Sequence, residues 1–465
     1  MRISVIGAGY VGLTTAGCLA ELGHDVFCAE ADVQKLARLC AGELPFFEPN
    51  LDDLVQRNRA AGRLQFGSTE DAIDRGRAIF ICVGTPPMEN GEADLSAIES
   101  VARTIARRAQ GYRLIVEKST VPVQTGRQLR RHLALHSSST LTYDVVSNPE
   151  FLREGTAVED FFHPDRILVG VEDSRAAEAM HEIYRPVLER TVACPVHHSK
   201  DCMKQAKFVV TDTNSAELIK HASNSFLAMK ISFINMVADL CEAAGADIGK
   251  VAEAVGLDPR IGSSFLQPGI GFGGFCFPKD LQAFVRIAEK FGCDFSLLKE
   301  VERINKNRVE KFVEKIKNEL WVLRGKRICV WGLAFKPKTD DIRFAPALSV
   351  LRQLLAEGAQ VQAYDPQAMA KAQLEIPEVT YCKDMYEAAV GAEAIVLLTE
   401  WDEFHGADWE LLSRLVQRPL VLDGRNTLSA EQVSACGFQY VGIGGISAMP
   451  KTPPQVADLV AEVHV

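Results

Sequence analysis

The sequence predicts an α/β protein with two doubly wound, mostly parallel sheets joined by a long central helix. Three observations carry that prediction. Short apolar runs alternate with helical stretches over about the first 210 residues, a stretch without helix breakers follows, and the alternation resumes from Lys326. Strands separated by helices pair in parallel through crossovers, which builds a sheet covered on both faces.

Each element follows from its local pattern. The first apolar runs are Ile3–Ile6, Asp25–Ala29, Ala78–Val83, Leu114–Val116, Val145–Ser147 and Ile167–Val171. Each ends in a cluster of Gly, Ser, Thr or Asn, as parallel strands do where loops gather at their carboxyl edge and ligands bind. From Asn214 to Ala244 nothing interrupts a helix until Gly245, so one helix of about 30 residues is expected. Its length suits a dimer interface. Further helices follow, broken by the glycine-rich stretch Pro268–Asp280. Arg327–Trp331, Val361–Tyr364, Ala394–Leu398 and Pro419–Leu422 then read as strands, with a helix over Ala347–Glu357. The expected organisation is a Rossmann-like domain over 1–212, a central helical dimerisation region over 213–305, and a second, smaller Rossmann-like domain over 306–465.

Composition bounds the function. The chain has 465 residues, 47% hydrophobic and 24% charged, with a net charge of −10, the profile of a soluble globular protein. Disorder and collagen are excluded. An acidic chain lacks the basic surface of a general nucleic-acid binder, so an anionic ligand must be held by a few local cations or backbone N–H groups. The 12 cysteines include no Cys-x-x-Cys pair, which suggests neither a zinc ribbon nor a disulfide scaffold. Reduced thiols and a cytoplasmic location are the simplest reading. Met1-Arg2 before the apolar run Ile3–Ala20 imitates a signal peptide, but Gly7, Gly9 and Gly12 would weaken such a helix. No other stretch is long and apolar enough to span a bilayer.

Four constellations carry chemistry. Gly7-Ala8-Gly9-Tyr10-Val11-Gly12 follows a strand and opens a helix. In such a loop the first glycine permits the turn, the second admits a pyrophosphate, and the third lets helix and strand pack closely. Glu30 ends the next strand, where a carboxylate binds a ribose 2′-hydroxyl and repels a 2′-phosphate, favouring NAD. Lys220 and Asn224 share a helix face with Leu227, Ile231 and Ile234; the lysine either snorkels to water or is held for proton transfer. In the loop Pro268–Asp280, Cys276 sits just before a helix opened by Pro278, where the dipole favours thiolate. Asp280 could cap that helix or orient water. Finally, Asn148-Pro149-Glu150-Phe151-Leu152-Arg153-Glu154-Gly155 brings two carboxylates to a strand end, where Thr85 and Thr120 either meet the cofactor or close turns. Lys336, Lys338, Arg343 and Arg425 are local cations suited to a diphosphate or solvated loop residues.

Together with Gly84–Pro87, Ser119–Pro122, Glu217–Asn235, Phe265–Asp280 and Phe335–Arg343, these stretches resemble the UDP-glucose 6-dehydrogenase family, in family order over essentially the whole chain. The resemblance implies an NAD domain, a dimerising helical region, a UDP-sugar domain, and four-electron oxidation of UDP-glucose to UDP-glucuronate with NAD and no metal. It implies a homodimer or higher homo-oligomer with no nucleic-acid or membrane partner. By resemblance Cys276 is the nucleophile, Lys220, Asn224 and Asp280 assist the first oxidation, and Glu150, Thr120 and Glu154 serve thioester hydrolysis. NAD contacts carried over are Gly7, Gly9, Val11, Gly12, Glu30, Lys35, Thr85, Thr120, Glu154, Lys279 and Arg343. Substrate contacts are Glu150, Phe151, Leu152, Arg153, Lys220, Asn224, Phe265, Leu266, Gln267, Pro268, Gly269, Gly273 and Lys336. Arg260 is expected to reach a neighbouring subunit's substrate, and Arg425 to hold the diphosphate.

The chain departs from the family pattern with Phe275 in place of a serine before the cysteine, and with Glu30 in place of aspartate. The segment Lys204–Asp212 reads as an inserted surface loop. Competing readings are a GDP-mannose or UDP-N-acetylhexosamine 6-dehydrogenase, a two-electron 3-hydroxyacid dehydrogenase, and a non-enzymatic NAD-binding scaffold.

Overall fold

The computed structural model describes residues 1–450 except 200, 201 and 203. Two compact units divide the chain: Met1–Ser225 with Lys279–Phe295, and Phe226–Pro278 with the chain from Ser296 onward.

The first unit is built on eight strands: β1 (Arg2–Ile6), β2 (Asp25–Ala29), β3 (Leu64–Gly67), β4 (Ala78–Ile81), β5 (Gly111–Glu117), β6 (Leu141–Ser147), β7 (Arg166–Gly170) and β8 (Lys207–Thr211). Their spatial order is β3-β2-β1-β4-β5-β6-β7-β8, parallel except for a single antiparallel pairing of Ser147 with Gly170. Chain order reverses at β1, which pairs in parallel with both β2 and β4. That reversal leaves a crevice at the carboxyl ends of the strands. Central strands are apolar throughout because helices cover both faces, and every residue of β4 is buried. The apolar run after Met1 folds as β1 and the helix Tyr10–Glu21, whose residues Gly12–Ala20 are all buried.

The expected inserted loop contains β8 instead, in register with β7 from Arg166↔Lys207 to Gly170↔Thr211. Its sequence, Phe208-Val209-Val210-Thr211, is aromatic and β-branched, which suits a pleated edge, and Val210 remains exposed as edge strands allow. The expected long helix spans Thr213–Ala244.

The second unit carries β9 (Arg327–Trp331), β10 (Gln360–Tyr364), β11 (Thr380–Tyr381), β12 (Ala394–Leu397), β13 (Leu420–Asp423), β14 (Gln439–Val441) and β15 (Ser447–Ala448). Among the described residues they are ordered β11-β10-β9-β12-β13-β14-β15, with only the β14–β15 pair antiparallel. Two buried carboxylates stitch the loops at its carboxyl edge. Asp365 accepts hydrogen bonds from the Leu333, Ala334, Gln367 and Ala368 amides, the first two belonging to the loop after β9. Asp423 does the same for Arg425, Thr427 and Leu428. The loop after β9 thus spends N–H groups on Asp365, the physical form of a degenerate nucleotide loop. All four tryptophans lie in this unit; Trp331 stacks on Phe404 with centroids 5.2 Å apart and packs against Trp409.

Candidate active site

In the first unit the glycine loop is shaped for close approach. Gly7 has φ +98°, and a Cβ there would stand 2.8 Å from the Cys82 carbonyl oxygen. A Cβ on Gly12 would stand 1.8 Å from the Gly7 oxygen, whereas one on Gly9 would meet open space. Gly9 caps the helix Tyr10–Glu21 without a side-chain bond, so its first N–H groups are offered to an anion. Val11 lies half-buried in that first turn. These features fit a bound dinucleotide pyrophosphate.

Glu30 sits beside this loop because Ile6 pairs with Ala29. Its carboxylate accepts from the Ala31 and Asp32 amides and pairs with Lys35 Nζ at 2.7 Å. Burial pushes the carboxyl up, but Lys35 and the backbone donors outweigh it and hold it below its usual range. Thr85 Oγ1 donates to the Thr120 carbonyl at 2.9 Å, which ties the segments after β4 and β5 together.

The segment after β6 is pinned by Glu48, which sequence reading passed over. Its buried carboxylate accepts from the Gly155 and Ala157 amides at 2.6 and 2.7 Å and from the Tyr10 hydroxyl. Half-buried Glu154 therefore precedes a fixed turn, while Arg153 pairs with Asp160. Nothing near Phe47-Glu48-Pro49 announces this role, because the two amides it holds lie 107 and 109 residues away.

Lys220 does not snorkel. Both it and Glu150 are buried, with Nζ 3.1 Å from Glu150 Oε1. The ammonium also lies 5.3 Å from the Phe151 ring centroid, and the Leu152 amide donates to the other Glu150 oxygen. One turn on, Asn224 Nδ2 donates to Asp280 Oδ2 at 2.6 Å, and Lys279 Nζ meets Asp280 Oδ1 at 2.6 Å. Burial pushes the Asp280 carboxyl up, yet Lys279, His221 and Lys220 together hold it below the usual range. A second missed residue, Lys118, is buried with Nζ 3.3 Å from Asn148 Oδ1. Burial pulls its amine down, against Cys82 and Glu150. The unit thus holds a water-poor set of carboxylates and amines able to exchange protons and stabilise an oxyanion.

In the second unit, Cys276 is the first residue of the helix Cys276–Lys290, not the residue before it. Pro278 falls within the first turn, where its missing N–H costs no helical bond, so the helix starts two residues earlier than Pro278 suggested. Cys276 is exposed at a helix N-terminus, an environment that favours thiolate. The approach to it is rigid. A Cβ on Gly273 would stand 2.4 Å from the Phe344 oxygen, and Gly274 donates to the Arg343 carbonyl at 3.0 Å. The Phe277 ring packs on Phe265 and Phe272.

Several of the other expected ligand contacts in this unit are tied to protein groups. Gly269 N donates to Asn235 Oδ1 at 2.8 Å; Leu266 and Pro268 are buried and Gln267 is exposed. Arg343 pairs with Asp341 through two nitrogens and lies over Phe275. Lys336 Nζ is 5.6 Å from the Phe335 centroid. Arg425 donates to the carbonyls of Leu398, Gly271 and Phe335, which ties three loops together. Arg260 is exposed on Asp258.

Three family models match in succession: the UDP-glucose/GDP-mannose dehydrogenase family NAD binding domain over 1–188, its central domain over 214–307, and its UDP binding domain over 329–430. The chain is 44% identical over 451 residues to a UDP-glucose 6-dehydrogenase of Rhizobium meliloti (strain 1021), covering 96% of this chain and 99% of that protein. It is 42% identical over 445 residues to UDP-glucose 6-dehydrogenase TuaD of Bacillus subtilis (strain 168), covering 95% and 93%. A UDP-glucose dehydrogenase structure from Pyrobaculum islandicum superposes with a TM-score of 0.85 at 38% identity, covering 96% of this chain and 98% of that one.

Proposed function

The chain belongs to the UDP-glucose/GDP-mannose dehydrogenase family, and from that premise we propose that it oxidises UDP-glucose to UDP-glucuronate with two NAD per sugar. The observation that carries this reading is an exposed thiol at the head of a helix whose next turn bears Asp280, itself hydrogen-bonded to Asn224. A two-electron dehydrogenase has no use for that thiol.

When bound, NAD supplies the hydride acceptor for both oxidations; Gly7, Gly9, Val11, Gly12, Glu30, Lys35, Thr85, Thr120, Glu154, Lys279 and Arg343 are the residues proposed to hold it. Lys220 and Asn224 hold the sugar 6-oxygen, and Asp280 receives its proton through water while carbon 6 gives up the first hydride, which leaves an aldehyde. Lys220 then stabilises negative charge on that oxygen as the Cys276 thiolate adds to the aldehyde, forming a carbon–sulfur bond and a tetrahedral carbon. Loss of a second hydride leaves a thioester on Cys276. Glu150 takes a proton from water, which adds to the thioester carbon and expels the thiolate, with Thr120 and Glu154 placing that water. Phe151, Leu152, Arg153, Phe265–Gly269, Gly273, Lys336, Arg260 and Arg425 complete the proposed nucleotide-sugar contacts.

The test is NADH formed per UDP-glucose consumed, with Cys276→Ala as control. Two NADH per sugar in the parent and no acid from the variant are expected. One NADH per sugar, or undiminished acid from the variant, overturns the covalent route. Turnover only with GDP-mannose or a UDP-N-acetylhexosamine moves the substrate within the family.

The same reading makes the protein a cytoplasmic homodimer or higher homo-oligomer. Among the described residues no helix is long and apolar enough to cross a membrane. Phe226, Phe233 and Leu240 recur every seven residues along Thr213–Ala244 and are all more than half exposed, which supports helix-to-helix association between two copies.

A further inference from the structure

We propose that His163, Cys194, His197 and Cys202 form a structural binding site for one zinc ion, separate from the residues assigned to the reaction. One ligand atom from each lies within 4.8 Å of the other three. His163 Nε2 is 3.1 Å from Cys194 Sγ and 3.7 Å from Cys202 Sγ, and His197 Nδ1 is 3.5 Å from Cys194 Sγ. A tetrahedral zinc bound by two sulfurs and two nitrogens would separate those atoms by roughly 3.4–3.8 Å. These three separations are close to the edges of a coordination tetrahedron, and the remaining ones lie within 4.8 Å.

The donor set selects the ion. Two thiolates and two imidazoles are soft to borderline ligands, suited to zinc and poorly suited to magnesium or calcium. Two thiolate charges also neutralise a divalent cation. All four positions come from the protein, which makes the site structural, since a catalytic zinc keeps one position open.

The surroundings support the assignment. His197 turns its other ring nitrogen toward Glu159 Oε1 at 3.8 Å, where a carboxylate would fix the ring and raise its basicity as a ligand. Cys194 is fully buried, and its loop is folded tightly: Cys194 N donates to the Ser199 carbonyl and His198 N to the Cys194 carbonyl. The spacing Cys194-x2-His197-x4-Cys202 escapes a search for paired cysteines. Its fourth ligand arrives from 31 residues upstream of Cys194, at the end of the helix Ala157–Phe162. An ion here would staple that helix to the chain leading into β8, and so brace the turn that follows Glu150 and Glu154.

The test is the zinc content of tag-free protein after dialysis, by inductively coupled plasma mass spectrometry. About one zinc per chain is expected, falling at least tenfold in a Cys194→Ser/Cys202→Ser variant and unchanged in Cys436→Ser. Should the double variant fail to fold, the parent protein decides. A strong chelator should remove its zinc, expose about two further thiols to a chromogenic thiol reagent, and lower its thermal midpoint. Cobalt replacing zinc should show the visible absorption of a tetrahedral thiolate complex. A metal-free parent that takes up neither zinc nor cobalt overturns the site, as does a Cys194–Cys202 disulfide found by peptide mass mapping without reductant. These readouts do not depend on which sugar is oxidised.

Discussion

The Arg343 guanidinium lies over the ring of Phe275, 4.6 Å from its centroid. The same guanidinium is held edge-on by both carboxylate oxygens of Asp341. Phe275 stands where relatives were expected to carry serine, so this chain fixes Arg343 with an aromatic face as well as a carboxylate.

Phe275→Ser should loosen that arginine. A cation–π contact at a partly exposed site contributes about 0.5–1 kcal/mol, so the KM for NAD should rise by about two- to fivefold with kcat little changed. Phe275→Tyr, which keeps the ring, should retain the parent value. Steady-state kinetics with varied NAD decide this, and an unchanged KM in the serine variant would detach Arg343 from the cofactor.

The Glu150–Lys220 pair should behave as a buried ion pair. Lys220→Met strands a buried carboxylate and should cost about 3–5 kcal/mol, while adding Glu150→Gln should recover much of that loss. Activity should not recover, since each group has a chemical duty; kcat should stay down by at least about 100-fold in single and double variants. Urea unfolding alongside initial rates separates the two effects, and stability losses that simply add would argue against direct pairing.

A third expectation concerns pH. Glu117 is fully buried beside Glu217, and burial, reinforced by that second carboxyl, pushes it well above its ordinary value of about 4.5. Glu217 accepts the Gln124 and Gly126 amides at 2.6 and 2.7 Å, so the shared charge resides there and Glu117 keeps its proton. The fold favours protonated Glu117, so its contribution is full below about pH 4.5 and is lost as pH rises toward the folded-state value. Glu117→Gln cannot ionise and should gain stability relative to the parent between pH 5 and 8. Chemical unfolding across that range checks it; parallel curves would place the charge elsewhere.

Fold and site differed in how far the sequence exposed them. Buried central strands such as Ala78–Ile81 and Ala394–Leu397 are apolar on both faces and stand out as unbroken runs. Strands β3 and β8 lie at sheet edges with mixed exposure, so their pattern merges with loops. Residue types within one loop were legible, as with Gly7–Gly12 and Cys276. Partnerships were not: Glu150 and Lys220 are 70 residues apart, and Asn224 and Asp280 are 56 apart. Such pairs are set by topology, which local periodicity does not encode.

The confinement of Trp321, Trp331, Trp401 and Trp409 to the second unit makes the molecule half dark to a fluorimeter. Trp331 is sealed in an aromatic cluster and Trp321 is 88% exposed, so emission contains a blue, packing-sensitive component and a red, water-quenched one. Both report on the same half. The half that carries the glycine loop has tyrosines Tyr10, Tyr112, Tyr143 and Tyr184 but no indole. A tryptophan melt can therefore look complete while the dinucleotide crevice is still folded, or stay flat while it has gone.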